Sequence, residues 1–406
     1  MPKSSPPRLL RHGERSRGGD VDSRRGRRRA ARGDVPVPGV RPYQPVRAAG
    51  AEDGRRRRRR RGARHVPVGG GQRAPRRGHA WRTKPCSGAY VMAPARRRLH
   101  GPARPTVYDL ASAPEGFPPS SPLATVPAYQ AADFSYVFKS FHGMPCVYDR
   151  VAACHNASDA LVIKSCAEME GPYIDYIAAQ HGKPVLVTGP IVPEPPQGDL
   201  EERWATWLSS FPDNSVLIAS FGSETFLPHA ATTELLLGLE ATNLPFLAVL
   251  NYPKGTDAEA ELRKCTPPGL EARVKGRGIL HTGWVQQQHI LRHRSVGCFV
   301  NHSGLSSVME GLVAGCRLVL LPMKGDQFLN AALLARELRV GTEVARRAGD
   351  GWFGREGVRD AVAAAVAGGG GGGDGEERKW REFLLDDCVQ KRFAREFVAG
   401  LRRLKG

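Results

Sequence analysis

The chain has 406 residues, 41% of them hydrophobic, so it is long enough to bury a core and is not disordered throughout. Its formal charge of +20 would suit a nucleic-acid binder. However, residues 1–100 hold 29 Lys and Arg against 6 Asp and Glu, whereas residues 101–406 hold 31 against 34. The basic excess therefore lies wholly at the N-terminal end, and the remaining three quarters of the chain is near neutral.

Hydrophobic and cysteine patterns narrow the class of protein further. No apolar run approaches the roughly 20 residues that span a bilayer, and the first 14 residues hold no hydrophobic signal segment. We therefore expect a cytoplasmic protein with no membrane span. The eight cysteines are scattered, with no CxxC pair and no Cys/His spacing that suits zinc. We interpret them as free thiols and expect no bound metal.

The N-terminal composition predicts disorder. Residues 1–88 are dominated by Arg, Gly and Pro, include seven consecutive arginines at 55–61, and show almost no periodic apolar pattern. A chain of this composition cannot bury enough apolar surface to fold alone. From about Ala89 the composition becomes that of a globular protein.

Beyond Ala89, short apolar runs alternate with helical patterns, which predicts a parallel, doubly wound sheet and an α/β fold. A Pro-rich stretch at 191–199 interrupts this series, as an interdomain linker does. The predicted division is a disordered basic segment (1–88), a partial first domain (89–192), a linker (193–200), a second domain (201–367), a Gly-rich loop (368–375) and C-terminal helices (376–406).

The loops that follow two predicted strands, SVLIAS and VGCFV, are rich in polar residues. Ligands bind beyond the carboxyl ends of the strands in a doubly wound sheet. The second loop runs from Asn301 straight into a helix, whose free amides suit a pyrophosphate. Glu310 lies three residues after Ser307 and four after Ser306, so the three share one helix face. A carboxylate there can accept hydrogen bonds from a pair of ribose hydroxyls.

The 44 residues from Trp284 to Gln327 resemble the signature box of plant-type UDP-dependent glycosyltransferases. The opening Trp-x-x-Gln, the His-x-Gly, the Glu and the closing Asp-Gln all stand at the family's spacing. Three segments outside the box are similar to members of the branch that adds a sugar to flavonoid or anthocyanidin glycosides. They are SFGSE, LPFLAVLNYPKG and GPYIDYIAAQHGKPVLVTGPIVPEP. The resemblance extends over about residues 89–406.

The resemblance implies a GT-B fold, which consists of two Rossmann-like doubly wound domains. The N-terminal, acceptor-side domain would be incomplete, and the C-terminal domain would bind a UDP-sugar. The implied reaction transfers the sugar, with inversion, to a hydroxyl of a small secondary metabolite, a flavonoid or anthocyanidin glycoside. Because the UDP-sugar is the donor substrate, we expect no cofactor, and we expect a monomer.

The box also implies roles for individual residues toward the nucleotide. Trp284 would stack on uracil, a contact worth on the order of 1–3 kcal/mol, and Gln287 would lie near the nucleoside. His302 would bond the pyrophosphate, and Ser307 and Ser223 would hold phosphate oxygens.

Three further residues would hold the sugars of the donor. Glu310 would bind the ribose, and Asp326 and Gln327 would bind the hydroxyls of the transferred sugar. The full predicted donor-binding set is Ser223, Trp284, Val285, Gln287, His302, Gly304, Ser306, Ser307, Glu310, Asp326 and Gln327.

This chain departs from the usual box in one place. Many relatives have His-Cys-Gly-Trp-Asn-Ser where this chain has His302-Ser303-Gly304-Leu305-Ser306-Ser307, so the Trp and the Asn are lost. The identity of the transferred sugar is therefore not predicted.

No catalytic base is predicted. In the family, a histidine oriented by an aspartate removes the proton of the acceptor hydroxyl, and both belong to early loops of the N-terminal domain. Neither motif is present here. His12, His65 and His79 lie in sequence rich in Arg, Gly and Pro, and His142 falls in the wrong part of the domain. The charge step near residue 88 suggests that residues 1–88 do not derive from the family's own first domain.

Two alternatives stay open. One is a UDP-sugar-binding remnant that lacks the catalytic base. The other is a nucleic-acid-binding role for the Arg-rich segment, because a run such as 55–61 attracts phosphate without reading sequence. That segment lacks interleaved aromatic residues for stacking on bases, so nucleic acid is not the expected partner.

Overall fold

The computed structural model describes residues 85–100, 104–368 and 373–404. The disorder predicted over 1–88 therefore lies outside the described residues, except at 85–88, where the prediction is wrong. Helix α1 (Pro85–Val91) includes these residues and buries most of its surface. The backbone N–H of Cys86 donates to Glu170 Oε1 at 3.0 Å. The composition of the Arg-rich sequence before it hides the helical character of this short uncharged segment.

The N-terminal part contains a small parallel sheet. Strands β1 and β2 pair in register and form a two-stranded parallel sheet in the described part of the chain. The elements after α1 are α2 (Pro94–His100), α3 (Val107–Ala111), α4 (Ala128–Phe134), a 3-10 turn (Ser135–Phe138), α5 (Val147–Ala157), β1 (Leu161–Ile163), α6 (Ala167–His181) and β2 (Val185–Val187).

The C-terminal part is a six-stranded parallel sheet of order β5-β4-β3-β6-β7-β8. This order confirms the predicted doubly wound fold. The elements are α7 (Glu202–Ser209), β3 (Val216–Ser220), α8 (His229–Ala241), β4 (Phe246–Leu250), α9 (Ala258–Cys265), α10 (Leu270–Arg273), β5 (Gly278–Thr282), α11 (Gln287–Leu291), β6 (Val296–Asn301), α12 (Leu305–Ala314), β7 (Arg317–Leu320), α13 (Asp326–Ala332), a π-helical turn (Leu333–Glu337), β8 (Thr342–Glu343) and α14 (Arg355–Val366).

Apolar side chains on both faces of the large sheet form the core. On β3, Val216 and Ile218 belong to one buried cluster, whereas Leu217 and Ala219 belong to the cluster on the opposite face. Successive side chains of a strand point to opposite faces. A strand covered on both sides is therefore apolar at every position, which explains the continuous run VLIAS.

The predicted C-terminal helical stretch divides into two helices. The expected Gly-rich loop at 368–375 is already helical from Gly373, where α15 (Gly373–Leu385) begins, and residues 369–372 lie outside the described part. Helix α16 (Asp387–Arg403) follows after Asp386, whose carboxylate accepts hydrogen bonds from the first backbone N–H groups of α16. Such an N-cap starts a new helix and so interrupts the predicted one.

Helix α16 packs on the small N-terminal sheet rather than on the large one. A Cβ added at Gly400 would lie 2.6 Å from Leu186 of β2, and one added at Gly189 would lie 2.4 Å from Phe393. A side chain at Gly189 would clash with the Phe393 ring, and one at Gly400 would force Leu186 to move. The C-terminal helix α16 therefore packs against β2 of the N-terminal part.

Within the described ranges, no helix is both long and apolar enough to cross a membrane. No group of three or more His, Cys, Asp or Glu in those ranges is placed to hold a metal ion. All eight cysteines fall in described ranges and have free thiols, as predicted.

Candidate binding site at the sheet edge

The strand order reverses between β3 and β6, and the candidate site lies at the carboxyl ends of these two strands. From β3 the chain proceeds outward to β4 and β5, and then returns to place β6 on the other side of β3. The connections that leave β3 and β6 therefore run in opposite directions and open a crevice between them.

Asn301, the last residue of β6, shapes the loop that enters α12. This side chain is fully buried, accepts from the Ser303 N–H at 2.9 Å, and donates to the Phe299 carbonyl at 3.2 Å. Ser303 adopts a left-handed conformation, with φ of 62°, and its carbonyl accepts from Asn330 Nδ2 at 3.0 Å. Two buried amide side chains thus fix the tight turn.

His302 packs between two glycines that belong to different loops. A Cβ at Gly304 would lie 2.5 Å from His302 Nε2, and one at Gly222 would lie 3.1 Å from His302 Cε1. The imidazole therefore occupies space that any other residue at Gly304 would fill. This contact brings the loop after β3 against the loop after β6.

Helix α12 begins directly behind His302. Its N-cap, Gly304, has no side chain to bond the amides of the first turn, and these amides have no partner within a helix. The helix start thus supplies backbone donors and the positive end of a dipole. Ser307 is buried in the first turn, whereas Ser306 is exposed.

Three polar side chains form a chain of hydrogen bonds beneath this helix. Ser220 Oγ donates to Gln287 Oε1 at 2.8 Å, and Gln287 Nε2 donates to Glu310 Oε2 at 2.7 Å. The structure therefore brings together the predicted residues Gln287 and Glu310, which stand 23 positions apart. The side-chain amide of Gln287 thus orients the carboxylate of Glu310, which can accept hydrogen bonds from hydroxyl groups.

Gln327 is buried and holds the loop before α13. Its Oε1 accepts from the backbone N–H groups of Met323 at 2.9 Å and Lys324 at 3.1 Å, and its Nε2 donates to Thr225 Oγ1 at 3.4 Å. The neighbouring Asp326 accepts from Asn330 Nδ2 at 3.3 Å. Gln327 thus contacts the loop that follows β3, whereas Asp326 bonds within its own helix.

The remaining predicted residues differ in their environments. Trp284 is 77% exposed, so one face of its indole can stack on a planar ring. Ser223 is exposed in the loop after β3. Val285 is buried in the hydrophobic core, so its side chain packs there and only its backbone could contact a ligand.

Sequence reasoning missed several residues that organise the site. Ser220 is a polar residue at the end of an apolar strand, and Asn330 follows Asp326 by one helical turn, so the nearby sequence could have indicated both. No nearby sequence feature indicates Asp133, because it stands 192 residues before its partner Gly325.

Comparison with known proteins relates this geometry to one family. A family model described as UDP-glucoronosyl and UDP-glucosyl transferase matches residues 263–347. The chain is 45% identical over 320 residues to UDP-glycosyltransferase 79A2 of Stevia rebaudiana, an alignment that covers 78% of this chain and 68% of that protein. The chain belongs to the UDP-glycosyltransferase family.

Further relatives of this UDP-glycosyltransferase have named activities. It is 47% identical over 316 residues to an anthocyanidin-3-O-glucoside rhamnosyltransferase of Petunia hybrida, covering 77% of this chain and 66% of the petunia protein. It is 38% identical over 326 residues to an anthocyanidin 3-O-glucoside 2''-O-glucosyltransferase of Ipomoea purpurea, covering 79% and 70%. The chain thus spans about two thirds of the length of these relatives.

Solved structures share the fold of this UDP-glycosyltransferase. The crystal structure of a UDP-glucose: anthocyanidin 3-O-glucosyltransferase in complex with UDP matches 79% of this chain and 68% of its own, with a TM-score of 0.59 and 22% identity. Phytolacca americana UGT2, complexed with UDP-2fluoro-glucose and pterostilbene, matches 64% and 57%, with a TM-score of 0.53 and 24% identity. These likenesses confirm the predicted GT-B fold.

Proposed function

We propose that the chain binds a UDP-sugar at the edge between β3 and β6 and serves the transfer of that sugar to a hydroxyl of a flavonoid or anthocyanidin glycoside. The observation that carries the proposal is the assembly of His302, the start of α12 and the Gln287–Glu310 pair at one crevice. Together they offer anion donors beside a carboxylate oriented for hydroxyls. The named relatives support the acceptor class.

The chemistry on the donor side follows from these groups. When the acceptor oxygen forms a bond to the anomeric carbon, the bond from that carbon to the β-phosphate oxygen breaks, and its electrons go to UDP. His302 and the amides of α12 face the phosphates in this proposal and stabilise that growing charge. Because the attack comes from the opposite side of the sugar, the anomeric configuration inverts. No metal and no cofactor enters the proposed step.

A second candidate function is donor binding with impaired transfer. In the N-terminal part that the structure describes, His142 lies on an exposed turn, whereas the buried His155 packs against the half-buried His181. No described hydrogen bond joins any of these three side chains to a carboxylate. An aspartate-oriented general base is thus not among them.

We also propose a cytoplasmic, monomeric protein. Support for the location comes from the described helices, none of which could cross a membrane.

The role of Trp284 is tested by UDP binding. Replacing Trp284→Ala should weaken UDP binding by about 1–3 kcal/mol, because the base loses its stacking partner. Calorimetric titration of the purified chain with UDP measures the change. Tyr108→Ala is the matched control, since Tyr108 is an aromatic residue with 87% exposure in the N-terminal part. An unchanged affinity for Trp284→Ala would remove this residue from the site.

His302 and Ser307 should discriminate UDP from uridine. Because both residues address the pyrophosphate, His302→Ala or Ser307→Ala should lower UDP affinity by about tenfold or more, the value of a hydrogen bond to a charged group. Uridine affinity should change little. Titration of each variant with both ligands gives the ratio, with uridine as the internal control. Equal losses for both ligands would contradict the phosphate assignment and indicate general unfolding.

A further inference from the structure

A carboxylate from the N-terminal part reaches the loop that presents Asp326. Asp133, at the end of helix α4, accepts a hydrogen bond from the backbone N–H of Gly325. Gly325 immediately precedes Asp326, the first residue of α13. The side chain predicted to bind the donor sugar is therefore adjacent in sequence to a backbone group that another part of the protein holds.

The loop before α13 depends on that bond for its shape. Gly325 has φ of 52° and ψ of −130°, a conformation that other residues rarely adopt. The two preceding N–H groups, of Met323 and Lys324, point to Gln327 Oε1. Of three consecutive amides, two are thus held from within the C-terminal part, and the third donates to Asp133. Removing the Asp133 carboxylate leaves that third amide unheld.

Asp133 lies in a partly buried environment with charged groups around it. Burial raises the pKa of Asp133, although the Gly325 N–H and the Lys324 ammonium oppose this. Desolvation, followed by the charges of Asp326 and Asp133, raises the pKa of Tyr136. The charges of both carboxylates thus act on the phenol of Tyr136. The backbone N–H of Gly325 and the charge of Lys324 both favour the ionised form of Asp133.

We propose that Asp133 is a positioning residue for the donor sugar, which fixes the direction of Asp326 through the backbone of Gly325. This inference rests on the proposed function, in which Asp326 binds hydroxyls of the transferred sugar. The uracil and the pyrophosphate are addressed by other elements, namely the segment after β5 and the start of α12. A change at Asp133 should therefore act on the sugar and leave the nucleotide untouched.

Calorimetric titration of the full chain with UDP and with a UDP-sugar tests this separation. The sugar nucleotide is the one among UDP-glucose, UDP-rhamnose and UDP-xylose that the unmodified chain binds most tightly. Asp133→Ala should lower the affinity for this UDP-sugar by about tenfold, because the hydrogen bond that holds the Gly325 amide is lost. The affinity for UDP should stay within about twofold, which also shows that the variant is folded.

The conservative variant separates positioning from charge. Asp133→Asn keeps an oxygen that accepts from Gly325, so it should retain the affinity of the unmodified chain for both ligands. Gln130→Ala is the control on the same helix, since the side chain of Gln130 bonds the neighbouring Tyr129. A loss in Asp133→Asn equal to that in Asp133→Ala would overturn the positioning role.

The remaining outcomes distinguish this inference from the proposed function. If the unmodified chain binds UDP and the UDP-sugar but Asp133→Ala weakens both equally or neither, the inference fails and the proposed function stands. If the unmodified chain binds neither UDP nor any of the three sugar nucleotides, the proposed function fails and the inference fails with it.

Discussion

Replacing residues 1–84 by the corresponding opening of the petunia rhamnosyltransferase is expected to raise sugar transfer by about 10²–10⁴-fold, the usual contribution of general base catalysis. The unmodified chain should transfer at or near the background rate. Chromatographic analysis of an anthocyanidin 3-O-glucoside incubated with UDP-rhamnose measures both proteins. The exchange ends before Pro85, because α1 packs on α6 and belongs to the described fold.

The expected gain arises from the acceptor side alone. The acceptor hydroxyl is a poor nucleophile until a base removes its proton, and walls that position the acceptor add a further contribution. The proposed donor site comprises His302, the start of α12 and Glu310, which the exchange does not alter. Titration should therefore give UDP affinities within about twofold of each other for the chimera and the unmodified chain.

The histidines already in the described part explain why little transfer is expected without the exchange. His142 lies on an exposed turn with φ of 52°, between Phe141 and Met144. His155 is buried against His181 and distant from solvent. Neither arrangement pairs an accessible imidazole with an orienting carboxylate.

Two outcomes would contradict this prediction. Replacing the grafted catalytic histidine by Ala should return the chimera to background; a chimera that stays active after this change would show that the base lies elsewhere. Robust transfer by the unmodified chain would mean that a histidine in the present sequence reaches the acceptor, and His142→Ala would then test the best exposed candidate.

The sheet and its switch point could be predicted because their signals are local. Parallel strands covered on both faces are continuous apolar runs, and the helices between them keep their own period. The runs that end at Ser220 and Asn301 therefore located the two strands whose loops form the site. The spacing of the box then selected Gln287 and Glu310, which the structure joins by one hydrogen bond.

Contacts between distant segments could not be predicted in this way. Asp133 lies in a helical sequence with no motif that marks it, and only tertiary packing brings it to Gly325. Val285 matches the box, yet its side chain packs into the core, because a sequence position does not specify which way a side chain points after a strand ends. Helix α1 was missed since composition averaged over a long Arg-rich segment conceals seven uncharged residues.

A buried histidine pair should make the stability of this protein sensitive to mild acid. His155 is 6% exposed and packs edge-on against His181, with ring centroids 4.7 Å apart. Lys183 Nζ donates to the His155 carbonyl at 2.5 Å and to the Ser158 carbonyl at 2.6 Å. Burial, followed by the nearby charges of His181 and Lys183, lowers the pKa of His155 to about 4.

The lowered pKa of His155 sets the direction and the pH range of the effect. The unfolded chain takes up a proton near pH 6.5, whereas the folded chain resists protonation until about pH 4. The contribution of the neutral imidazole to the free energy of unfolding is therefore fully present above pH 6.5 and is lost as the pH falls to about 4. The whole loss should amount to about 3 kcal/mol.

Urea unfolding at pH 7.5, 6.0 and 4.0 measures this loss, with His155→Gln as the variant that cannot titrate. Carboxylates also titrate in this range, so the informative quantity is the difference between the pH dependence of the unmodified chain and that of the variant. His229→Gln is the control, because His229 is an exposed histidine that pairs with Glu261 at 2.8 Å. The unmodified chain and His229→Gln should lose stability together, while His155→Gln loses about 3 kcal/mol less between pH 6.5 and 4. Identical pH dependence in all three proteins would show that His155 is protonated inside the fold as readily as in water.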